Sequence, residues 1–473
     1  MLMQLTKVLK IMILLLMTTT VNGAEKYWVY HNDTSQTYLS KLGIESIFCS
    51  EWLQACSYRL TLQQKSSLDQ VGLLVSPVQK FTLATTPGYR RSFAIEQIDG
   101  QKFLDKGLTG KGIKVGIIDG GFLGADKNPS LNHVFQNGKF GGFKDFVSPG
   151  QAPFVVSDEL DNDHGTEVWE LIGGINHKKN IQYGLATDAT FFLARTDHNA
   201  FEKRIEEDYL INAMEWMSTE GVRVINISLG YNIGFTDKEE NYKPEQMDGK
   251  TTAIARAVDY ASLEKGILVV VAAGNEGNDK NWQTLSSPAD ALYALSVGAT
   301  KFDIWDKMDY SSIGPMFTTF NKPDIAVFSS TGTSFSAPVV TGMAACIMEY
   351  DSTLTNLEII DIIKKSAHLY PYGNNYMGYG VPTCGNILKI LEGEEDHIVR
   401  PEEIHSNKDQ IVLKRNFKEN YVVTYHKRDG RIVTSKVVYK TISKRLKIKR
   451  LDGAPQTSVL IGNRAIEIFW EEK

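Results

Sequence analysis

Cysteine is scarce: four in 473 residues, at positions 49, 56, 346 and 384. So few excludes a disulfide-dense scaffold, and no two stand at the spacing of a metal-binding pair. Cys346 lies within an apolar segment and reads as core. Cys49 and Cys56 are the pair that can bridge, and FCSEWLQACS leaves their state open. A helix there would hold them about 10 Å apart, too far to bond, whereas a hairpin would permit the bond. Beyond the first residues there is no apolar run of membrane length, so no stable membrane insertion is expected. Charge of one sign is not in excess either: 51 Lys and Arg stand against 56 Asp and Glu, a net −5. No nucleic-acid partner is expected from that balance. Internal repeats and low-complexity tracts are also missing. What remains is an ordinary globular composition with room for one large domain and something smaller.

The first 26 residues, MLMQLTKVLKIMILLLMTTTVNGAEK, read as an export signal. Lys7 and Lys10 give the positive start, Ile11 to Met17 the short apolar stretch, and Val21 and Gly23 the small residues before a cut after Gly23. No cysteine stands directly after that point to take a lipid anchor. The expectation is an exported protein: secreted, periplasmic or held at the cell surface.

From 112 to 390 the pattern alternates. Apolar runs of strand length, KVGIID (114–119), TFFLAR (190–195), VRVINISLG (222–230), GILVVVAAG (266–274) and ALSVGA (294–299), are separated by helical segments. EEDYLINAMEWMSTEG (206–221) places Leu210, Ile211, Met214 and Met217 on one helical face, and TAIARAVDYASLEKG (252–266) repeats the design. Continuous apolar strands between helices predict a doubly wound α/β fold: a parallel sheet with helices on both faces. Chemistry in such sheets gathers beyond the carboxyl ends of the strands, where Asp119 and Asn275 fall.

The flanks differ from this core. Residues 24–95 stand apart, hold the Cys49/Cys56 pair and end near Arg90-Arg91. After EGEED (392–396) the chain turns β-rich, with hairpin signals at Asp429-Gly430 and Asp452-Gly453. Residues 396–473 carry 17 Lys and Arg against 10 Asp and Glu, a net +7 that leaves −12 for the rest. Two readings stand: a small basic β domain docked on an acidic partner, or a solvated basic face. The expected organisation is 1–23 signal, 24–95 N-terminal segment, 96–391 α/β domain and 392–473 small β domain.

TGTSFSAPVVTG (331–342) puts Ser334 at the mouth of an apolar helix, with Pro338 in its first turn. A serine there is an ordinary N-cap, or a nucleophile whose oxyanion is met by free amides and the helix dipole. A hydroxyl nucleophile needs a base, a group orienting the base, and oxyanion donors. Asp119 closes IIDGG, His164 opens a helical segment in DNDHGTEVWELIGG, and Asn275 follows the long strand in VAAGNEG. Taken singly, these are turn, surface and cap residues as readily as functional ones.

Together, KVGIIDGGF, DHGTEV, NISLG, VAAGNEGN and GTSFSAP resemble the subtilisin-like serine peptidases, the subtilases, over about 112–390. The order Asp, His, Ser is the one known for subtilisin. The resemblance implies an exported serine endopeptidase acting on protein or peptide substrates through an acyl-enzyme. It implies Ser334 as nucleophile, His164 as general base, Asp119 as orienter of the imidazole, and Asn275 with the Ser334 N–H as oxyanion donors. Ser336 is a poor rival, because two helical steps aim it elsewhere. Ser228, Leu229 and Gly230 match the strand on which substrate backbone pairs, and Glu276 stands at the far end of the primary specificity pocket. Residues 24–95 look like an inhibitory pro-segment. No cofactor is implied and no metal ligands are assigned; many relatives bind structural calcium, but no calcium loop is legible here. Two features depart from the family: Asp163 replaces the glycine usual before the histidine, and the stretch from Lys322-Pro323-Asp324 to Gly332 is short. The alternative is a catalytically inactive subtilase fold serving as a protein-binding module.

Overall fold

The computed structural model describes residues 25–30, 39, 43–46, 48–50, 55–71, 73, 75–77, 90–155, 163–198, 203–414, 421–440 and 445–472. The expected export signal and most of the acidic run before His164 lie outside them. The chain forms two compact units that divide between Thr86 and Pro87.

In the smaller unit, β1 (Glu25–Tyr30), β2 (Phe48–Ser50), β3 (Ala55–Leu60) and β4 (Val75–Pro77) make an antiparallel sheet in the order β2-β3-β1-β4. Alternate residues Tyr27, Val29, Cys56, Tyr58 and Leu60 are buried in one cluster with Leu68 of α1 (Leu62–Gln70), as the period-two strand geometry requires. Thr61 starts α1 with a capping box closed by Gln64. β2 and β3 form a hairpin with Cys49 opposite Cys56, and Cys56 is disulfide-bonded. Cys346 and Cys384 are free and buried. The chain thus takes the hairpin alternative.

The larger unit is built on seven parallel strands. In chain order these are β5 (Lys114–Asp119), β6 (Phe140–Asp145), β7 (Thr190–Arg195), β8 (Val224–Ile227), β9 (Leu268–Ala272), β10 (Leu295–Thr300) and β11 (Ile325–Phe328). Their spatial order is β11-β10-β9-β8-β5-β7-β6. The chain moves from β5 out to the edge strand β6, returns to β7 between them, then crosses to β8 and proceeds the other way. The switch point therefore lies between β5 and β8, which is where an open α/β sheet opens a crevice.

Side chains alternate between two cores. Val115, Ile117, Val224, Leu268 and Val270 face a cluster that also holds α2 (His164–Gly173), α5 (Ala337–Tyr350), α6 (Asn356–Ser366) and α7 (Cys384–Leu391). Ile118, Ile225, Ile227, Val269 and Val271 face α3 (Ile205–Thr219) and α4 (Ala253–Lys265). Helices cover both faces, as a parallel sheet demands. Arg90–Arg91 pairs in parallel with Ile181–Gln182, so the chain from residue 90 onward belongs to this larger unit.

The C-terminal strands are β12 (Glu402–Ser406), β13 (Gln410–Lys414), β14 (Tyr421–Lys427), β15 (Val433–Lys440), β16 (Arg445–Lys449), β17 (Gln456–Ile461) and β18 (Arg464–Trp470). A five-stranded sheet runs β12-β18-β17-β14-β15, and β13 pairs with β16. One set of its apolar residues, among them Val422, Val459, Ile466 and Ile468, packs with Leu446 and Ile448 of the small sheet. The other set, Val423, Tyr425, Val433, Leu460 and Ala465, is buried against Ala326, Leu369 and Met377 of the α/β body. Among the described residues no helix is long and apolar enough to cross a membrane.

Candidate active site

β5 ends at Asp119, the last residue it pairs with β7. Asp119 is fully buried, and its Oδ1 faces the His164 Nδ1 at 2.7 Å while accepting the Gly120 N–H at 2.8 Å. His164 is the first residue of α2 and remains partly exposed, with 27 % of its side chain accessible. The approach depends on Gly165. A Cβ there would lie 2.5 Å from the Gly121 carbonyl oxygen and 2.9 Å from Asp119 Cβ, so only glycine lets the first turn of α2 close on the end of β5. Gly165 N–H donates to that same carbonyl at 2.9 Å. With Nδ1 held by Asp119, Nε2 is the other ring nitrogen.

Ser334 sits in a single 3-10 turn, Thr333–Phe335, just ahead of α5, with Pro338 in the first helical turn. Phe335 places its ring 5.2 Å from the His164 ring, so the turn and the start of α2 meet at one end of the sheet. Ser334 is partly exposed, and its hydroxyl makes no hydrogen bond to a described residue. Contacts of this kind are commonly loose before substrate binds. Ser336 is fully buried and donates to the Val327 carbonyl at 3.2 Å, which removes it as a rival.

Asn275 follows β9 and is exposed. Its Oδ1 accepts from the Thr333 N–H at 2.9 Å and from the Thr333 hydroxyl at 3.2 Å. With the amide oxygen held there, the two N–H donors of the amide are left for other partners. Thr333 itself is fully buried, and its hydroxyl also accepts the Gly274 N–H at 3.0 Å. Its place inside Gly-Thr-Ser is the only sequence signal for this orienting role.

Ser228 is buried beyond the end of β8 and donates to the Ser334 carbonyl at 2.9 Å. It accepts from Asn226 Nδ2 at 2.9 Å, and Asn226 Oδ1 accepts from the Thr341 hydroxyl on α5 at 3.0 Å. This buried chain ties the serine turn to β8 and α5. The expected strand over 222–230 is shorter than its apolar run suggests: β8 ends at Ile227, where its register with β5 runs out at Ile118. Leu229 is half-buried and Gly230 exposed, and Tyr231 then bridges to Ser287.

Glu276 is folded back on its neighbours. Its Oε2 accepts from the Asn275 N–H at 2.8 Å, the Ser312 hydroxyl at 3.1 Å and the Ser286 hydroxyl at 3.3 Å.

The family model described as the subtilase family matches residues 110–380, more than half of the chain. The chain belongs to the subtilase family. It is a serine endopeptidase of the subtilisin type, with protein or peptide substrates. Subtilisin NAT of Bacillus subtilis subsp. natto is 27 % identical over 298 residues, covering 61 % of this chain and 69 % of that protein. Subtilisin of Bacillus pumilus is also 27 % identical over 298 residues, covering 61 % and 95 %. Among solved structures, the epidermin leader peptide processing serine protease of Staphylococcus aureus aligns with a TM-score of 0.47 and 19 % identity, covering 78 % of this chain and 99 % of that one.

The two departures from the subtilase pattern have local accounts. Asp163 is the exposed N-cap of α2 and makes no side-chain cap bond. The short stretch after Lys322 keeps the four-residue strand β11, anchored by buried charge. Lys322 Nζ donates to the Ala294 carbonyl and to Asp324 Oδ2, both at 2.7 Å, and Lys364 reaches Asp324 Oδ1 at 2.6 Å. Against the upward push of burial, the two ammonium groups hold the Asp324 carboxyl below the usual carboxylate range. Among the described residues, no cluster of three or more His, Cys, Asp or Glu side chains is arranged to hold a metal ion.

Proposed function

We propose that this subtilase hydrolyses peptide bonds with Ser334 as nucleophile, His164 as general base and Asp119 as the group that orients and stabilises the imidazole. The observation that carries the reading is the pairing of Asp119 with His164 Nδ1 at 2.7 Å, beside a serine turn whose neighbour Asn275 has its amide oxygen pinned by Thr333. Ser334 Oγ attacks the substrate carbonyl carbon while its proton passes to His164 Nε2. The carbonyl oxygen becomes an oxyanion, met by Asn275 Nδ2 and the Ser334 N–H. The imidazolium then gives its proton to the leaving amine. Water repeats the sequence on the acyl-enzyme and restores Ser334. Every step uses side chains, main-chain amides and water, so no cofactor is called for.

On the same reading the chain is exported, with 1–23 as its signal, and is made as a zymogen whose residues 24–95 act as the pro-segment. Leu229 and Gly230 border the crevice as the edge for substrate backbone, with Ser228 beneath them holding the Ser334 turn. Glu276 lies at the inner end of the primary pocket, next to the oxyanion asparagine.

Hydrolysis of a chromogenic peptide amide by wild type, Ser334→Ala and His164→Ala tests the assignment. Both variants should lose at least roughly 10,000-fold in kcat, the scale on which triad members act together. A folded Ser334→Ala protein retaining wild-type kcat would remove the triad, and a folded wild type without activity would favour the binding-module alternative.

A further inference from the structure

The C-terminal β sheet is joined to the α/β body by polar contacts as well as by its apolar face. Tyr425 of β14 is fully buried, and its hydroxyl donates to Asp306 Oδ1 at 2.5 Å and accepts the Lys307 N–H at 3.3 Å. Lys436 of β15 reaches Asp306 Oδ2 at 2.7 Å, and Lys301 reaches the same oxygen at 3.1 Å. Asp306 is itself fully buried, so these three partners offset the cost of keeping its charge away from water.

Asp306 belongs to residues 301–312, a loop that leaves β10 and returns to the active-site side of the sheet. The loop is bonded at every stage. Met308 N–H donates to the Ala299 carbonyl at 2.9 Å, and Ala299 N–H to the Ser311 hydroxyl at 2.9 Å. The buried Lys307 ammonium spends its three protons on the carbonyls of Met308 (2.8 Å), Asp309 (3.1 Å) and Ser311 (2.5 Å). Burial, with Lys436 nearby, lowers the Lys307 pKa to about 8.

The far end of the loop touches the segment that carries Asn275. Gly277 N–H donates to the Tyr310 carbonyl at 2.7 Å, and a Cβ on Gly277 would lie 2.0 Å from the Ser311 carbonyl oxygen. Ser312 N–H donates to the Gly274 carbonyl at 3.1 Å, and the Ser312 hydroxyl accepts from Glu276 N–H and donates to Glu276 Oε2, each at 3.1 Å. Glu276 Oε2 in turn accepts the Asn275 N–H at 2.8 Å. Asn275 is therefore held from two sides: its side-chain oxygen by Thr333, and its main chain by a loop pinned at Asp306.

We propose that the C-terminal β domain positions the oxyanion side of the active site, with Tyr425 and Lys436 as positioning residues that act on Asn275 through Asp306 and the 301–312 loop. The inference rests on the reading of Asn275 as an oxyanion donor. A donor aimed at a developing charge loses its effect when displaced by a fraction of an ångström. The β domain is then part of the peptidase, and its clamp sets kcat without touching substrate.

The test is a mutant cycle on the full-length mature protein. Tyr425→Phe keeps the ring and removes the hydroxyl; Lys436→Met removes one partner of Asp306 from a side chain that is 20 % accessible and so is tolerated if Tyr425→Phe fails to fold. Each should lower kcat for a peptide amide by roughly 2- to 30-fold, the range of coupling through packed networks, with KM nearly unchanged. Lys436→Arg should recover most of the loss. In an Asn275→Ala background the effect of either substitution should disappear. A loss of the same size in both backgrounds, or one confined to KM, overturns the proposal, as does unchanged kcat in the folded single variants. Failure of the underlying reading looks different: Asn275→Ala alone would then leave kcat at the wild-type level.

Discussion

Thr333→Val examines how the oxyanion amide is aimed. Valine keeps the shape and removes the hydroxyl, whose one proton is shared between Asn275 Oδ1 and the Gly274 carbonyl, each at 3.2 Å, leaving the shorter main-chain bond to Asn275 at 2.9 Å. One neutral hydrogen bond is worth about 0.5 to 1.5 kcal/mol net. If that amount is lost from the aimed orientation, kcat should fall roughly 2- to 13-fold, since 1.4 kcal/mol is tenfold. The ceiling is the loss of the donor itself: Asn275→Ala should lower kcat by roughly 100- to 1000-fold. KM should hardly move in either variant, because the oxyanion exists only in the transition state. The same hydroxyl accepts the Gly274 N–H, so the valine variant should also lose about 1 kcal/mol of unfolding free energy, the low end of the cost of an unpaired donor, since this one is only part-buried. Steady-state kinetics on a peptide amide and urea denaturation read the two effects separately, and Thr333→Ser should restore both. A loss confined to KM, or one as large as that of Asn275→Ala, would refute the orienting role.

Asp290 gives a pH prediction. Burial pushes its carboxyl from 3.8 up to about 6 in the folded protein, and a gap of that size is worth about 3 kcal/mol. A raised carboxyl contributes stability that is fully present below pH 3.8 and is lost as pH rises through 6, so Asp290→Asn should flatten urea-derived stability between pH 4 and 7; parallel curves for wild type and variant would contradict this. Ser334→Ala should accumulate with residues 24 to about 95 attached if removal is autocatalytic, and N-terminal sequencing that finds identical mature ends in wild type and variant would assign the trimming elsewhere. Glu276→Gln should lower the preference for Lys over Phe at the primary pocket, and an unchanged ratio of kcat/KM for the two substrates would leave Glu276 with only its hold on Asn275.

The parts of this protein legible in the sequence are those set by local pattern. Five continuous apolar runs gave β5, β7, β8, β9 and β10, because strands buried on both faces have no polar alternation to obscure them. That Asp119, His164, Asn275 and Ser334 stand at strand ends and helix starts was legible because glycines and a proline mark those boundaries; the roles proposed for them come from the resemblance to subtilases. β6 carries no such signal: FGGFKD is a half-buried edge strand with two glycines and no run of branched residues. β11 has only four residues and depends on the buried Lys322–Asp324–Lys364 charges, whose partners no local window contains. The Tyr425–Asp306 bond joins residues 119 apart, and the Asn226–Thr341 bond joins residues 115 apart. Contacts of that kind are written by topology, so they surface only in three dimensions.

Activation of the Ser334 hydroxyl by His164 and Asp119 is what the proposed chemistry depends on. A fluorophosphonate applied to the purified mature protein, with the adduct located by peptide mass spectrometry, addresses it most directly. One adduct is expected, on Ser334, absent in Ser334→Ala and in His164→Ala. A well-folded wild-type protein that stays unlabelled, or an adduct on any other serine, would contradict it.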